Sequence, residues 1–429
     1  MPTISKKFRD QNPHKHLLNN KECAFITNGV CISSAIDKDT FAVTPCCYFD
    51  VTKLKNGSRE RHNNYALNSY LEDVNTDSTF TYPKLAKGPC TKCRVREKTY
   101  GYVNIDASKV GETVFSSLRG RAHQRVPERH APGKIVHLDV MFSNFCNFQC
   151  VYCNAYSSSE WNKTSKQLQN IEFPDQPEYF AQNKVSEYHT HDNEYHIMEQ
   201  ILLSDLSELR MLYIKGGEPF MIRIFDEFLT RLADRCDLSK VSLYINTNNS
   251  LFPKDSIIQS FTRMKNVYLR ISGESTGALA EYVRYGTKWN EYTNNAKKWV
   301  QLAKEDNGIQ LEVQSAVSVF TVNKWHEWYE WMQDVGLDPA TNWPDQVTGD
   351  QAFSNLLNKR QAETIYNRFA QVPHAQWSDF YSKQLNPALF PETQDPKYRK
   401  HFQKLTTAVE KIRGNTLKTV NPEMFSFLF

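Results

Sequence analysis

Residues 146–153 read Cys-Asn-Phe-Gln-Cys-Val-Tyr-Cys, a CxxxCxxC spacing on one short loop. An apolar, β-rich run, IVHLDVMF at 135–142, leads into it. Three thiolates held this close can carry three irons of a four-iron, four-sulfur cluster, a group that usually takes four cysteines. No fourth cysteine stands in the loop, so one iron would stay open to a small molecule. An electron could then pass directly into the ligand bound there. Zinc is the plain alternative for any cysteine triplet.

Outward from the loop, the chain repeats one texture. MLYIKG (211–216), VSLYIN (241–246), VYLRIS (267–272) and LEVQSAVSV (311–319) are β-rich apolar runs. Helical patterns stand between several of them, such as FDEFLTRLADRC (225–236) and WNEYTNNAKKWVQLAKE (289–305). Strand alternating with helix predicts an α/β fold of parallel βα units. Such folds build their sites at the C-terminal ends of the strands. Lys215-Gly216-Gly217-Glu218-Pro219 closes one run, and its paired glycines let the backbone approach a ligand closely. Its carboxylate and carbonyls can accept bonds from a cation. Ile271-Ser272-Gly273-Glu274 closes another run, and Thr247 and Asn248 a third. Residues 163–192 are polar and read as an insertion near the site. After about residue 350 the chain turns helical, as in QAETIYNRFAQV (361–372) and KYRKHFQKLTTAVEKIRG (397–414).

Composition narrows the class. The 429 residues are 40% hydrophobic and 23% charged, as in folded globular proteins, which excludes collagenous and disordered readings. A net charge of +4 does not demand a polyanionic partner. No apolar stretch approaches the roughly 18 residues needed to span a bilayer. The N-terminal MPTISKKFRDQNPHKHLLNN lacks the apolar segment of a secretory signal. A cytoplasmic location is therefore expected, where thiols stay reduced. Nine of the ten cysteines fall in the first 153 residues, and such clustering in a reducing compartment points to metal rather than disulfides.

With the aromatic Tyr152 before its last cysteine, the CxxxCxxC loop resembles the signature of the radical S-adenosylmethionine (radical SAM) enzymes. The resemblance implies a 4Fe–4S cluster on Cys146, Cys150 and Cys153. It also implies a partial (βα)6 TIM-like barrel over 135–345. Gly216, Gly217, Glu218 and Pro219 match the segment that binds the SAM amino group in that family. Ser272 and Glu274 match residues that bond the SAM ribose or carboxylate. Arg284, in the helix-like run Glu281–Gly286, matches an arginine that pairs with the SAM carboxylate, since a guanidinium fork suits that group. Gln314, Ser315 and Val319 would approach the adenine. The implied chemistry is reductive cleavage of SAM to a 5′-deoxyadenosyl radical that takes a hydrogen from a substrate. An external reductant such as flavodoxin or ferredoxin would supply the electron. No catalytic acid or hydrogen donor can be singled out among the tyrosines.

The N-terminal third carries a second cysteine set. CISSAI (31–36) and FAVTPCC (41–47) read as a β-hairpin around the turn DKDT, with Cys46 and Cys47 after Pro45. Cys90 and Cys93 form a CxxC pair, and Cys23 and Cys31 lie upstream. This layout resembles the twitch domain, a shortened SPASM-like auxiliary iron–sulfur domain, placed before the barrel, with Glu97 as its glutamate. The choice between Cys23 and Cys31, and between Cys46 and Cys47, stays open, and zinc is the alternative occupant. The implied organisation is an auxiliary domain over 1–118, a basic linker over 119–134, the core over 135–345 and a helical extension over 346–429. Relatives of this kind favour a peptide or protein substrate, and neither membrane nor nucleic acid is expected. RNA or a small molecule is the alternative substrate, and a non-catalytic iron–sulfur or zinc protein the alternative class. His189, His191 and His196 read as a solvated cluster, Trp325, Trp328 and Trp331 as a packed helix face, and Cys236 as a helical packing residue.

Overall fold

The computed structural model describes residues 29–37, 40–44, 114–115, 124–125, 134–168, 191–306, 308–347, 351–369 and 384–429. In chain order its strands are β1 (Gly29–Asp37), β2 (Thr40–Thr44), β3 (Val114–Phe115), β4 (Gln124–Arg125), β5 (His137–Met141), β6 (Gln149–Cys150), β7 (Met211–Lys215), β8 (Ser242–Thr247), β9 (Asn266–Ser272), β10 (Arg284–Tyr285), β11 (Ile309–Val317) and β12 (Asn342–Gln346). The helices are α1 (Trp161–Leu168), α2 (His191–Leu203), α3 (Phe225–Leu232), α4 (Asp255–Thr262), α5 (Gly277–Val283), α6 (Trp289–Glu305), α7 (Trp325–Val335), α8 (Phe353–Leu356), α9 (Lys359–Phe369), α10 (Pro396–Arg413), α11 (Leu417–Val420) and α12 (Pro422–Leu428). The chain divides into two compact units, one of Met1–Phe142, Tyr188–Ile214 and Asp226–Ser242, the other of Ser143–Glu187, Lys215–Phe225 and Leu243–Phe429.

In the first unit the strands lie in the order β2-β1-β5-β7. The expected hairpin is present: β1 and β2 pair antiparallel with Cys31 opposite Thr44. Strand β1 then pairs in parallel with β5, Gly29 facing His137 and Ile32 facing Val140. Every residue of β5 is buried. A parallel strand covered on both faces has no solvent side, so even its polar His137 and Asp139 lie inside. Helix α3 buries Phe228, Leu229 and Leu232, neighbours at helical spacing. Phe228 meets Phe142 edge-on with centroids 5.1 Å apart. Full burial of such a side chain is worth about 1.5–3 kcal/mol.

In the second unit the order is β8-β9-β11-β12. Strands β9 and β11 run parallel, Val267 facing Ile309, and β11 and β12 run parallel, Val313 facing Asn342. Helix α7 buries Trp325 and Trp328, and Trp331 stacks on Trp328 at 4.6 Å, so the tryptophans form the packed face that their spacing predicts. Helix α10 starts on the capping carboxylate of Asp395 with Pro396 at its first turn, and Gly414, at φ +76, ends it. Its buried Leu405 and Val409 pack on Ala155, Trp161 and Leu168.

The predicted α/β class is therefore observed, with parallel pairing in both units. Three local readings change. Residues 191–203 form a full helix within and beyond the stretch read as a polar insertion, its Ile197, Met198, Ile201 and Leu202 buried. Arg284 is not helical, because α5 stops at Val283 and Arg284 opens the short strand β10. Cys236 lies in the turn beyond α3, half-buried, its thiol on the Leu232 carbonyl. Cys31 is buried on β1. Cys23, Cys46, Cys47, Cys90, Cys93, Glu97 and His189 lie outside the described residues. Among the described residues no helix is long and apolar enough to cross a membrane.

Candidate functional site

The cysteine loop leaves Ser143 and is pinned at both ends by short polar side chains. The Asn144 amide donates to the Ala155 carbonyl at 2.7 Å, and the Ser159 backbone N–H donates to the Asn144 carbonyl. The Ser158 hydroxyl donates to the Phe148 carbonyl at 2.6 Å, and the Cys146 N–H donates to the Ser159 hydroxyl. Cys150 sits on β6, which pairs antiparallel with β10 so that Cys150 faces Arg284. The Trp161 indole donates to the Cys150 carbonyl at 3.0 Å. The loop backbone also reaches one thiol, the Phe148 N–H donating to the Cys146 sulfur at 3.4 Å.

Cys146, Phe148 and Cys150 form one buried cluster, with Tyr152 and Cys153 packed against it. The sequence motif therefore does bring its three cysteines together. Burial pushes the Cys146 thiol up to about 12, with the Cys150 thiol adding to it. Burial raises Cys153 too, again with its two cysteine neighbours adding. Cys150 is raised by burial, while Arg284 and Arg413 pull against the rise. Thiols that oppose each other's ionisation in a dry place suit an occupant that brings positive charge, and soft thiolates select iron–sulfur clusters or zinc. Among the described residues no three His, Cys, Asp or Glu side chains converge on one point as a single ion requires.

The Gly216–Pro219 turn lies directly on this loop. Gly217 donates to the Ser143 carbonyl, and Glu218 donates to the Phe145 carbonyl at 2.7 Å. A Cβ on Gly217 would stand 2.1 Å from the Phe145 carbonyl oxygen, so only glycine fits. Gly216 adopts φ +123. No donor among the described residues bonds the Gly216 or Gly217 carbonyl, which leaves both able to accept from a cation. The Glu218 carboxylate is committed elsewhere. It accepts from the Asn248 N–H at 2.6 Å, from the Thr247 hydroxyl at 2.9 Å and from the Phe220 N–H at 3.2 Å. Burial nonetheless pushes it up to about 7, the three bonds acting in the opposite direction. Pro219 opens the short 3-10 turn that follows.

Thr247 and Asn248, expected at the mouth, thus hold Glu218. The Asn248 amide also reaches the Cys146 sulfur at 3.6 Å and the Asn147 side-chain oxygen at 3.0 Å. The density of asparagine in Asn246-Thr247-Asn248-Asn249 was the signal for this network. Asn249 takes a positive φ of 60, which asparagine tolerates better than most residues.

Glu274 and Arg284 come together as well. Arg284 donates its Nε at 2.9 Å and its Nη2 at 2.7 Å to the two Glu274 oxygens, and the Tyr152 hydroxyl donates to the same carboxylate at 2.7 Å. Both charged side chains are buried. Burial opposes the Arg284 charge, and Glu274, Tyr152 and Cys150 more than restore it. The guanidinium lies over the Tyr152 ring, 5.6 Å from its centroid. The fork that matches a ligand carboxylate by resemblance is occupied here by a carboxylate of the chain itself. At the end of β9 the Ser272 carbonyl accepts from the Tyr292 hydroxyl, and Gly273 has no room for a Cβ against Trp328 and Tyr292. Gln314 accepts from Asn246, Ser315 donates to the Gly273 carbonyl, and Val319 is buried.

Two residues that local pattern did not mark complete the site. Gln149 donates to the Glu160 carbonyl and the Thr164 hydroxyl, and Arg413 donates to both the side chain and the backbone carbonyl of Gln149. The two are 264 positions apart, so no sequence window joins them. In the sequence Arg413 falls only within the helical run of residues 397–414.

No family model matches the chain, and no curated protein matches it. Among solved structures, it is similar to Streptococcus suis SuiB bound to S-adenosylmethionine, with 14% identity over 56% of this chain and 43% of that one and a TM-score of 0.30. It is similar to native anSMEcpe with bound AdoMet, with 12% identity over 56% and 60% of the two chains and a TM-score of 0.36. It is similar to TYW1 with a lysine-pyruvate adduct bound, with 10% identity over 55% and 71% and a TM-score of 0.29. The matched part spans about half the length of the SuiB and anSMEcpe chains.

Proposed function

We propose that the chain is a radical SAM enzyme, carrying a 4Fe–4S cluster on Cys146, Cys150 and Cys153. The observation that carries this reading is the packing of those three thiols on one pinned loop, with the glycine turn of residues 216–219 lying against it. When bound, cluster and SAM together would supply one-electron cleavage of the sulfonium and a primary radical able to take hydrogen from a substrate. The chain's own residues bind and exclude water. Gly216 and Gly217 offer two free carbonyls to the SAM ammonium. Glu218 fixes that turn by tying it to Thr247 and Asn248. The Tyr152–Glu274–Arg284 group ties the loop to the segment after β9 and to β10. Ser272 ends β9, its carbonyl held by the Tyr292 hydroxyl.

The finer assignments belong to the same proposal. The substrate is a peptide or protein, and the electron comes from a flavodoxin- or ferredoxin-like donor in a cytoplasm. The N-terminal cysteines, Cys90 and Cys93 with Cys46 or Cys47 and Cys23 or Cys31, hold an auxiliary iron–sulfur cluster in a domain preceding the core. The test is direct. Anaerobically reconstituted protein, mixed with SAM and dithionite, is expected to release 5′-deoxyadenosine and methionine, and the Cys150→Ala variant is expected to release neither. Equal release from both proteins would remove the reading.

A further inference from the structure

Among the described residues Arg413 has no acidic partner. It is 9% exposed, on the last turn of α10, and its Nε donates to the Gln149 side-chain oxygen at 3.0 Å. Its Nη2 donates to the Gln149 carbonyl, and its Nη1 has no partner among the described residues. The rings of Trp161 and Tyr285 lie 5.0 Å from the guanidinium carbon. Glu410, one turn earlier on the same helix, is engaged instead by the Tyr282 hydroxyl at 2.9 Å and the Leu417 N–H at 2.6 Å. Burial pulls the Arg413 group down to about 10, and what favours its charge is Cys150, Tyr282 and Tyr285, with no carboxylate among them.

A buried cation without a counter-charge is costly, and aromatic faces return only part of that cost. Arginine cannot discard its proton as lysine can. The helix that carries it also makes the hydrophobic contacts that bring it here. An anion on the inner side of Gln149 would resolve the arrangement, and the flanking residue is Cys150.

We propose that Arg413 is a positioning residue that supplies the counter-charge of the anionic thiolate-bound cluster and raises its reduction potential. This rests on the cluster reading above. One-electron reduction by an external donor adds one negative charge to the cluster and forms or breaks no bond in the protein. A fixed cation behind a cysteine ligand favours that reduced state, since net charge and hydrogen bonding set such potentials. One of the two donated bonds holds the Gln149 side chain and the other its backbone carbonyl, so the C-terminal helix fixes the loop that carries all three thiolates.

The experiment is a redox titration of the reconstituted full chain with dithionite and low-potential dyes. It follows the paramagnetic signal that disappears in the Cys146→Ala variant, and iron is counted in parallel. Arg413→Gln is expected to keep its iron yet show a reduced-to-oxidised ratio about tenfold lower at a fixed potential, about 59 mV for one electron. Arg413→Lys, which can shed its proton in this buried place, is expected between the wild type and Arg413→Gln. Gln149→Glu keeps Arg413 but gives it a carboxylate, and is expected to move with Arg413→Gln. Should Arg413→Gln fail to fold, Gln149→Glu carries the comparison, and an unmoved potential in it overturns the proposal. An iron-loaded Arg413→Gln variant with the wild-type potential would also overturn it. Wild-type protein that binds no iron would instead defeat the cluster reading itself, a result separable from unchanged potentials in iron-loaded variants.

Discussion

Glu218 shows how one side chain can serve a site without facing its ligand. Two bonds to its oxygens join the glycine turn to the end of β8, a third comes from the Phe220 N–H, and its surroundings push its titration from 4.5 up to about 7. A carboxyl group with a raised folded value binds its proton more tightly in the folded chain than in the unfolded one. Its contribution to stability is therefore full below about pH 4.5 and is lost as the pH rises through 7. Across that window the loss is about 3 kcal/mol. In urea unfolding of the metal-free chain, wild type should lose that amount relative to Glu218→Gln between pH 4.5 and 8. A difference independent of pH would show that the carboxyl is not held this way.

The strands at the scale of elements were legible because burial on both faces leaves continuous apolar runs, as in residues 211–214, where every residue is buried. The glycine turn was legible for a related reason, since Gly217 answers a backbone approach that no side chain permits. Gly217→Ala should accordingly destabilise the chain by about 1–3 kcal/mol and lower iron uptake, read by urea unfolding and by iron content after reconstitution. Uptake equal to wild type would mean that the turn and the cysteine loop do not need to touch. Other features were hidden in principle. Helix α2 follows a polar stretch whose composition gives no warning of its buried Ile197, Met198, Ile201 and Leu202. The short strand β10 is made by Cys150 pairing with Arg284, a partner no local window contains. Strand β12 includes Pro344, which argues against a strand unless it lies at an edge, and β12 is the outer strand of its sheet.

Within the whole molecule, every side chain of the candidate site comes from one compact unit, drawn from three separate stretches of the chain. The cysteine loop comes from the first, the glycine turn from the second, and the Thr247–Asn248, Glu274–Arg284 and Arg413 groups from the third. A site assembled from such distant stretches exists only in the folded chain, so metal uptake and folding should be coupled. Iron content is therefore the most direct measure of the account. The chain is reconstituted without oxygen, as wild type and as the Cys146→Ala/Cys150→Ala/Cys153→Ala variant, and iron, sulfide and zinc are counted per chain. The account predicts that the variant loses about four irons and four sulfides relative to wild type, while its far-ultraviolet circular dichroism is retained. Equal iron in the two proteins would contradict it.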